Sequence, residues 1–225
     1  MELLEKIIPN VMANTDRLFN SIIATLQMTA WSGAVMFVLG MILGITLTVT
    51  ADGNILQQKV VHQILDKVIN VCRSVPFVIF IAILLPVTKA IMGTKIGVRG
   101  VIVPLVVASV PFFARQVETA LANVSGGLIE AAQAMGKGPL EIIFTVYLRE
   151  SIPAIARGTT ITLINLIGLT AMAGYVGAGG LGDYAITWGY NYGHYDIIWV
   201  SVLFVILIVS VIQFIGNLIA KKNTH

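Results

Sequence analysis

The chain has 225 residues, of which 57% are hydrophobic and only 11% charged, with a mean hydropathy of +0.90 and a net charge of +3. Soluble domains are about one-quarter charged, so an ordinary soluble fold is excluded and an all-α polytopic membrane protein is expected. The basic excess (pI about 9.1) forms no patch but sits at the ends of apolar runs, which argues against nucleic acid and for a lipid bilayer as the surrounding partner.

A helix needs roughly 20 apolar residues to cross about 30 Å of hydrocarbon. Three charge-free runs meet that alone: Leu18 to Ala51, Gly158 to Gly182 and Ile197 to Ala220. The first follows Glu2 and Glu5 and is too long for a signal peptide core, so it is expected to be a retained helix and not a cleaved leader. Within it Gly40 and Gly44 form a GxxxG pair that suits close helix packing inside one subunit, or a dimer seam. Two shorter runs, Ser74 to Thr88 and Gly100 to Ala114, have 15 residues each and are bounded by Arg73, Lys89, Arg99 and Arg115, whose long side chains can reach the interface. The expectation is five spans at about 18–50, 68–90, 99–118, 153–178 and 197–220, in a single transmembrane domain covering 1–225.

With the amino terminus outside, the inner segments hold nine basic residues (Lys59, Lys67, Arg73, Arg115, Lys137, Arg149, Arg157, Lys221, Lys222) against five outside (Lys6, Arg17, Lys89, Lys95, Arg99). The positive-inside rule therefore predicts an external amino terminus and a cytoplasmic carboxyl terminus. Lys89, Lys95 and Arg99 count against that orientation, whereas the stretch from Asp183 to Asp196 has no Lys or Arg, as an external loop should.

The connection at about 119–152 is then the largest cytoplasmic element. Ser125-Gly126-Gly127 reads as a turn, and a short Ala-rich helix follows, with Gly136 as a left-handed stop. Pro139 suits the first position of the next helix, whose Leu140, Ile143, Phe144, Tyr147 and Leu148 make an apolar stripe expected to lie against the membrane domain. Pro153 opens the fourth span. The Ala-rich helix is too polar to span and too small-surfaced to form a core. Ala131, Ala132 and Ala134 permit close backbone approach, Glu130 places a carboxylate near the helix start, and Gly136 lets the chain leave sharply. Its natural use is to be gripped by another protein.

This arrangement resembles the EAA loop of bacterial ABC importer permeases, the cytoplasmic coupling helix that docks on the ATPase subunit. Arg73-Ser74-Val75-Pro76-Phe77, Gly93-Thr94-Lys95-Ile96-Gly97, Val103-Pro104-Leu105, the run Pro111 to Glu118 and Gly177-Ala178-Gly179-Gly180-Leu181-Gly182 are all similar to methionine-type permeases. The resemblance implies five spans per subunit, a second copy of the chain in a homodimeric pore, two ATP-binding ABC subunits on the cytoplasmic face, and an external binding protein that delivers methionine, in a bacterial cytoplasmic membrane. It assigns ATPase coupling to Leu128, Ile129, Glu130, Ala131, Ala132, Met135 and Gly136. One departure stands out: Leu148-Arg149-Glu150 replaces the family's Leu-Pro-Glu, which should make that helix more regular toward the fourth span.

No G-x-x-x-x-G-K-[ST] occurs, so the chain holds no ATP in a phosphate loop and its energy must come from a partner or an ion gradient. The G-x-G-x-x-G at Gly177 to Gly182 follows a span and not a βαβ strand, so it reads as a flexible or closely packed helix end. Cys72 is alone, and His62, His194 and His225 have no ligand spacing, so no catalytic residue, metal site or cofactor is expected. Substrate-pathway candidates are Asn165 and Met172, which share a face of the fourth span, and Arg73, a substrate cation or an interface anchor. Trp188, Tyr190, Tyr192, Tyr195 and Trp199 read as an interfacial aromatic belt or a docking surface for the binding protein. The rival function is an ion-coupled amino-acid transporter or channel, which usually needs acidic or His groups within its spans; the three long runs have none.

Overall fold

The computed structural model describes residues 6–223. Glu2, Glu5 and His225 lie outside the described residues. In chain order the helices are α1 (Pro9–Met12), α2 (Thr15–Thr50), α3 (Lys59–Ser74), α4 (Phe77–Met92), α5 (Gly97–Ala122), α6 (Gly126–Ala134), α7 (Pro139–Ile142), α8 (Leu148–Ala173), α9 (Gly180–Asp183) and α10 (Tyr195–Lys222), with π-helical turns at Ile143–Tyr147, Gly174–Ala178 and Tyr184–Tyr190. Four helical stretches are long and apolar enough to cross a membrane: Thr15–Thr50, Gly97–Ala122, Pro139–Ala178 and Tyr195–Lys222.

The expected second span is a bent pair. α3 and α4 meet at an angle of 109°, because Val75 is extended (φ −84°, ψ 124°) ahead of Pro76; a residue before proline is driven out of the helical region. Each has 16 residues, or about 24 Å of rise against about 30 Å of hydrocarbon. Neither crosses alone.

In the longest helix, hydroxyls that would be costly in lipid bond back to carbonyls one turn earlier. Thr29 donates to Thr25 O at 2.9 Å and Thr48 to Gly44 O at 3.0 Å, which satisfies them without a partner helix.

The chain divides into two compact units. The first comprises the described part of Met1–Ala34 with Pro76–Val107 and Leu163–Ile212. One of its clusters joins Val11, Tyr184 and Ile197, another Ile167, Leu181 and Ile208. Asp196 accepts from the Asn10 backbone at 2.9 Å and side chain at 3.0 Å. The Arg17 guanidinium lies 3.4 Å from the Trp188 ring, which stacks on Tyr192 at 5.4 Å, and Tyr192 stacks in turn on His194. Burial pushes the Tyr184 phenol up, Asp196 adds to the shift and Arg17 opposes it. The glycine-rich end of the fourth span is closely packed: at Gly180 (φ +87°) a Cβ would stand 2.8 Å from both Met28 Cε and Thr25 Oγ1.

The second unit comprises Val35–Val75, Ala108–Thr162 and the described part of Gln213–His225. Leu47, Ile69 and Ala114 form its core, with Leu43 and Leu65 packed against them. The GxxxG pair packs inside the chain: a Cβ on Gly40 would meet Phe113 at 2.6 Å, and one on Gly44 would meet Val117 at the same distance. Gly216 lets α10 pass close to Thr160. The second unit also carries the whole of the segment that the sequence marks for gripping.

Candidate functional site

α6 begins where Ser125 leaves helical geometry (φ −59°, ψ 127°), with no side-chain cap. Leu128 N donates to Ser125 O at 3.1 Å, and Gly126 and Gly127 keep the first turn free of side chains. At the other end Gly136 takes φ +79°. Lys137 N donates to Ala132 O at 3.1 Å and Gly136 N to Gln133 O at 2.9 Å. These 6→1 and 5→2 bonds form a Schellman stop, which needs a left-handed residue at this position. Pro139 then starts α7 at its first turn, as expected. Lys137 reaches back over that restart, 3.5 Å from Glu141 and 3.3 Å from Thr145 Oγ1.

Nine residues are too few for a helix to hold by itself in water, and α6 has one fully buried anchor, Ala132. Ile129 is half-buried. Leu128, Glu130, Ala131, Met135 and Gly136 are exposed, Met135 to 71%. A Cβ placed on Gly136 meets nothing within 4 Å. The helix therefore presents small and apolar side chains outward on a backbone fixed at its end.

The stripe behind it departs from expectation. Ile143 and Tyr147 are buried and Leu148 half-buried, but Leu140 and Phe144 are 69% and 67% exposed, and Ile142 is the inward residue instead. The π turn at Ile143–Tyr147 accounts for Phe144, whereas Leu140 and Ile142 precede it. Its i→i+5 bonding accommodates an extra residue in the turn and rotates the following side chains off the 3.6-residue stripe. From Leu148 the helix is regular through Arg149 and Pro153 into the fourth span, so the irregular turn lies before Arg149.

Four polar ties hold this platform. Tyr147 donates its phenol proton to Asn54 Oδ1, and Ser151 Oγ donates to Ala120 O at 3.1 Å. Arg115 extends its guanidinium to Asp66, to Glu118 at 2.7 Å and to Asn70 Oδ1 at 3.0 Å, fastening α3 to α5. His62 Nδ1 lies 3.0 Å from Leu47 O, fastening α3 to α2. The Arg115 and Glu118 side chains are 19% and 23% exposed, so screening by water is limited and the fork is worth more than a surface pair. Sequence reasoning did not foresee the roles of Asn54, Asp66 and Arg115, since their partners lie 93 and 49 residues away. Only the Arg115–Glu118 spacing of three on a helix was a local signal.

Of the pathway candidates, Asn165 and Met172 belong to the first unit and are both exposed, whereas Arg73 ends α3 in the second unit and is exposed. His62 and His194 have structural contacts, and no group of three His, Cys, Asp or Glu suited to a metal occurs among the described residues.

Residues 36–224 match the binding-protein-dependent transport system inner membrane component family. The chain is 44% identical over 212 residues, 94% of both chains, to the probable D-methionine transport system permease protein MetI of Vibrio cholerae. It is 44% identical over 217 residues, 96% of this chain and 97% of the other, to the methionine import system permease protein MetP of Bacillus subtilis. A chain from the inward-facing crystal structure of the MetNI methionine ABC transporter superposes with a TM-score of 0.92 at 38% identity, covering 95% of this chain and 99% of that one.

Proposed function

We propose that this chain, which belongs to the binding-protein-dependent transport system inner membrane component family, works as the permease of an ATP-driven methionine importer through its α6 helix. ATP hydrolysis belongs to the partner ABC subunits, and the permease converts their movement into access for the amino acid. The observation that carries the role of α6 is its exposure: Leu128, Glu130, Ala131 and Met135 face outward on a helix locked by the Gly136 stop, and none of the described residues covers them.

In this reading the amino terminus is external, α6 faces the cytoplasm, and two copies of the chain form the pore beneath an external binding protein. Two ATPase subunits grip one α6 each. Their closure on ATP draws the two helices together, and the ties at Tyr147, Ser151 and Arg115 pass the displacement into the long helices. Coupling requires that the ATP-bound and ATP-free states grip α6 with different free energies. Asn165 and Met172 face the passage, where the adaptable thioether of Met172 suits an apolar constriction. D-Methionine and related amino acids are substrates of the same passage, with much of the selection made by the binding protein.

The test is Gly136→Trp in the assembled transporter. A Cβ there meets nothing within 4 Å among the described residues and only the left-handed strain remains, so the permease should insert while ATP-driven methionine uptake falls by more than about tenfold, within the usual range of coupling free energies. Unchanged uptake would sink the docking role of α6. Uptake by the chain alone, driven by an ion gradient without ATPase subunits, would instead support the ion-coupled alternative. A thiol probe that reaches Leu128→Cys only from the outer face would reverse the orientation.

A further inference from the structure

The first compact unit holds two adjoining cavities that the transport reading does not use. The smaller, about 260 Å³, has the stacked Trp188, Tyr192 and His194 rings in its wall, together with Asn14, Arg17 and Tyr184. The larger, about 530 Å³, is polar, with Asp16, Asn20, Ser21 and Asp183 in its wall. Ala13, Asn14 and Arg17 border both cavities, so the two meet at Arg17. Neither is lined by Arg73, Asn165 or Met172.

Two groups in the smaller cavity are unspent. Arg17 places its guanidinium 3.4 Å from the Trp188 ring centroid, a contact that consumes none of its N–H donors. Among the described residues that guanidinium has no ion pair. Tyr184 is 1% exposed, and its hydroxyl is buried without a hydrogen-bond partner among the described residues. A buried phenol in that state carries a desolvation cost until an acceptor reaches it. Asp196 does not compete as the acceptor. Its oxygens already take the Asn10 backbone and side-chain N–H groups, and Val11 N at 3.4 Å. In the polar cavity Asp183 accepts from Thr187, whereas Asp16 is exposed and has no cation partner among the described residues.

An unspent guanidinium beside an unspent phenol suits a carboxylate, which accepts from both. The aromatic wall suits an apolar body, and Asp16, in the cavity on the other side of Arg17, suits an ammonium. We propose that the joined cavities bind a free zwitterionic amino acid with an apolar side chain. Its carboxylate lies on Arg17 and Tyr184, its ammonium toward Asp16 and its side chain against Trp188, Tyr192 and Ile197. The choice of an amino acid rests on the importer reading above, and the site is separate from the passage assigned to Asn165 and Met172. An acidic side chain of the binding protein offers the same carboxylate, but it brings no ammonium for the polar cavity. Concave sites with an apolar wall and a few convergent polar groups are also the usual form of small-molecule sites.

The experiment uses the assembled transporter in lipid nanodiscs, where both faces are open to reagent, with Cys72→Ala and Ala13→Cys. Ala13 is exposed and borders both cavities. Millimolar methionine should slow modification of Ala13→Cys by a charged methanethiosulfonate, read by mass spectrometry of the permease. Methioninol, which lacks the carboxylate, and the deaminated acid, which lacks the ammonium, should each protect less. Arg17→Gln should raise the half-protecting concentration about tenfold, with Arg17→Lys in between, and Tyr184→Phe should raise it about threefold. Tyr184→Phe should not lower the unfolding midpoint, because it removes a hydroxyl without a partner. No protection by methionine, equal protection by methioninol, protection by the binding protein alone, an unchanged half-protecting concentration in Arg17→Gln, or a lowered midpoint in Tyr184→Phe would each overturn the site. Protection that persists in a transporter unable to take up methionine would support the site and count against the importer reading alone.

Discussion

Two glycine-marked helix ends in this molecule use the same backbone freedom for opposite purposes. At Gly136 the chain turns through φ +79° and a Cβ would meet nothing within 4 Å; at Gly180 it turns through φ +87° and a Cβ would strike Met28 and Thr25 at 2.8 Å. The Gly180 turn is closed on its own unit: Leu181 N donates to Thr25 Oγ1 at 2.9 Å, and Leu181 is 1% exposed. The Gly136 turn leaves Met135 and Leu128 outside. A glycine stop with empty space around it serves a contact that the chain does not make with itself, whereas a packed one serves the chain's own core.

The contrast is sharpest in substitution. Gly180→Ala combines left-handed strain of about 1–2 kcal/mol with overpacking of a similar size, so it should cost about 3 kcal/mol. Its unfolding midpoint in detergent should fall, and uptake should fall in step with the amount of folded protein. A midpoint equal to the unsubstituted chain would mean that the turn is not closed. Arg115→Ala should cost about 2 kcal/mol, because it leaves Asp66 and Glu118 facing each other without their cation. A double-mutant cycle with Asp66→Asn should show coupling of at least 0.5 kcal/mol, roughly the lower bound for contacting residues; additivity would dissolve the fork. Gly136→Ala should cost only the strain, about 1 kcal/mol, and should lose more ATP-driven uptake than that stability change explains. If stability and uptake moved together there, the comparison with Gly180 would fail. Smallest of all, Thr46→Val removes a 2.7 Å bond from a hydroxyl to the carbonyl of its own helix and should shift stability by no more than about 0.5 kcal/mol.

The two ends also differ in how far sequence reasoning reached them. The Gly136 stop was legible because a Schellman end is local: Ala132, Gln133, Gly136 and Lys137 make all of its bonds among themselves. The packing of Gly180 depends on Thr25, 156 residues away from the bonded Leu181, so the sequence left open whether that end is flexible or packed. The stripe after Pro139 was misread in part for a related reason. A π turn leaves no signature in residue spacing, and this one carries Phe144 outward. The expected second span at 68–90 is bent at Pro76 into α3 and α4, which together remain a candidate fifth span.

Composition and run length by themselves determined that this is a helical membrane protein with its charges toward helix ends, since continuous apolar runs of about 20 residues match a helix across hydrocarbon and not the short alternating strands of a barrel. Local turn chemistry also determined the short exposed helix and its stop. Only the tertiary structure decided which glycines are packed and which are open, where Arg115 spends its charge, and that His62 fastens α3 to α2 and Arg115 fastens it to α5. Each of those outcomes joins residues well separated in the chain, and such pairings follow from packing in space and not from any period along the chain.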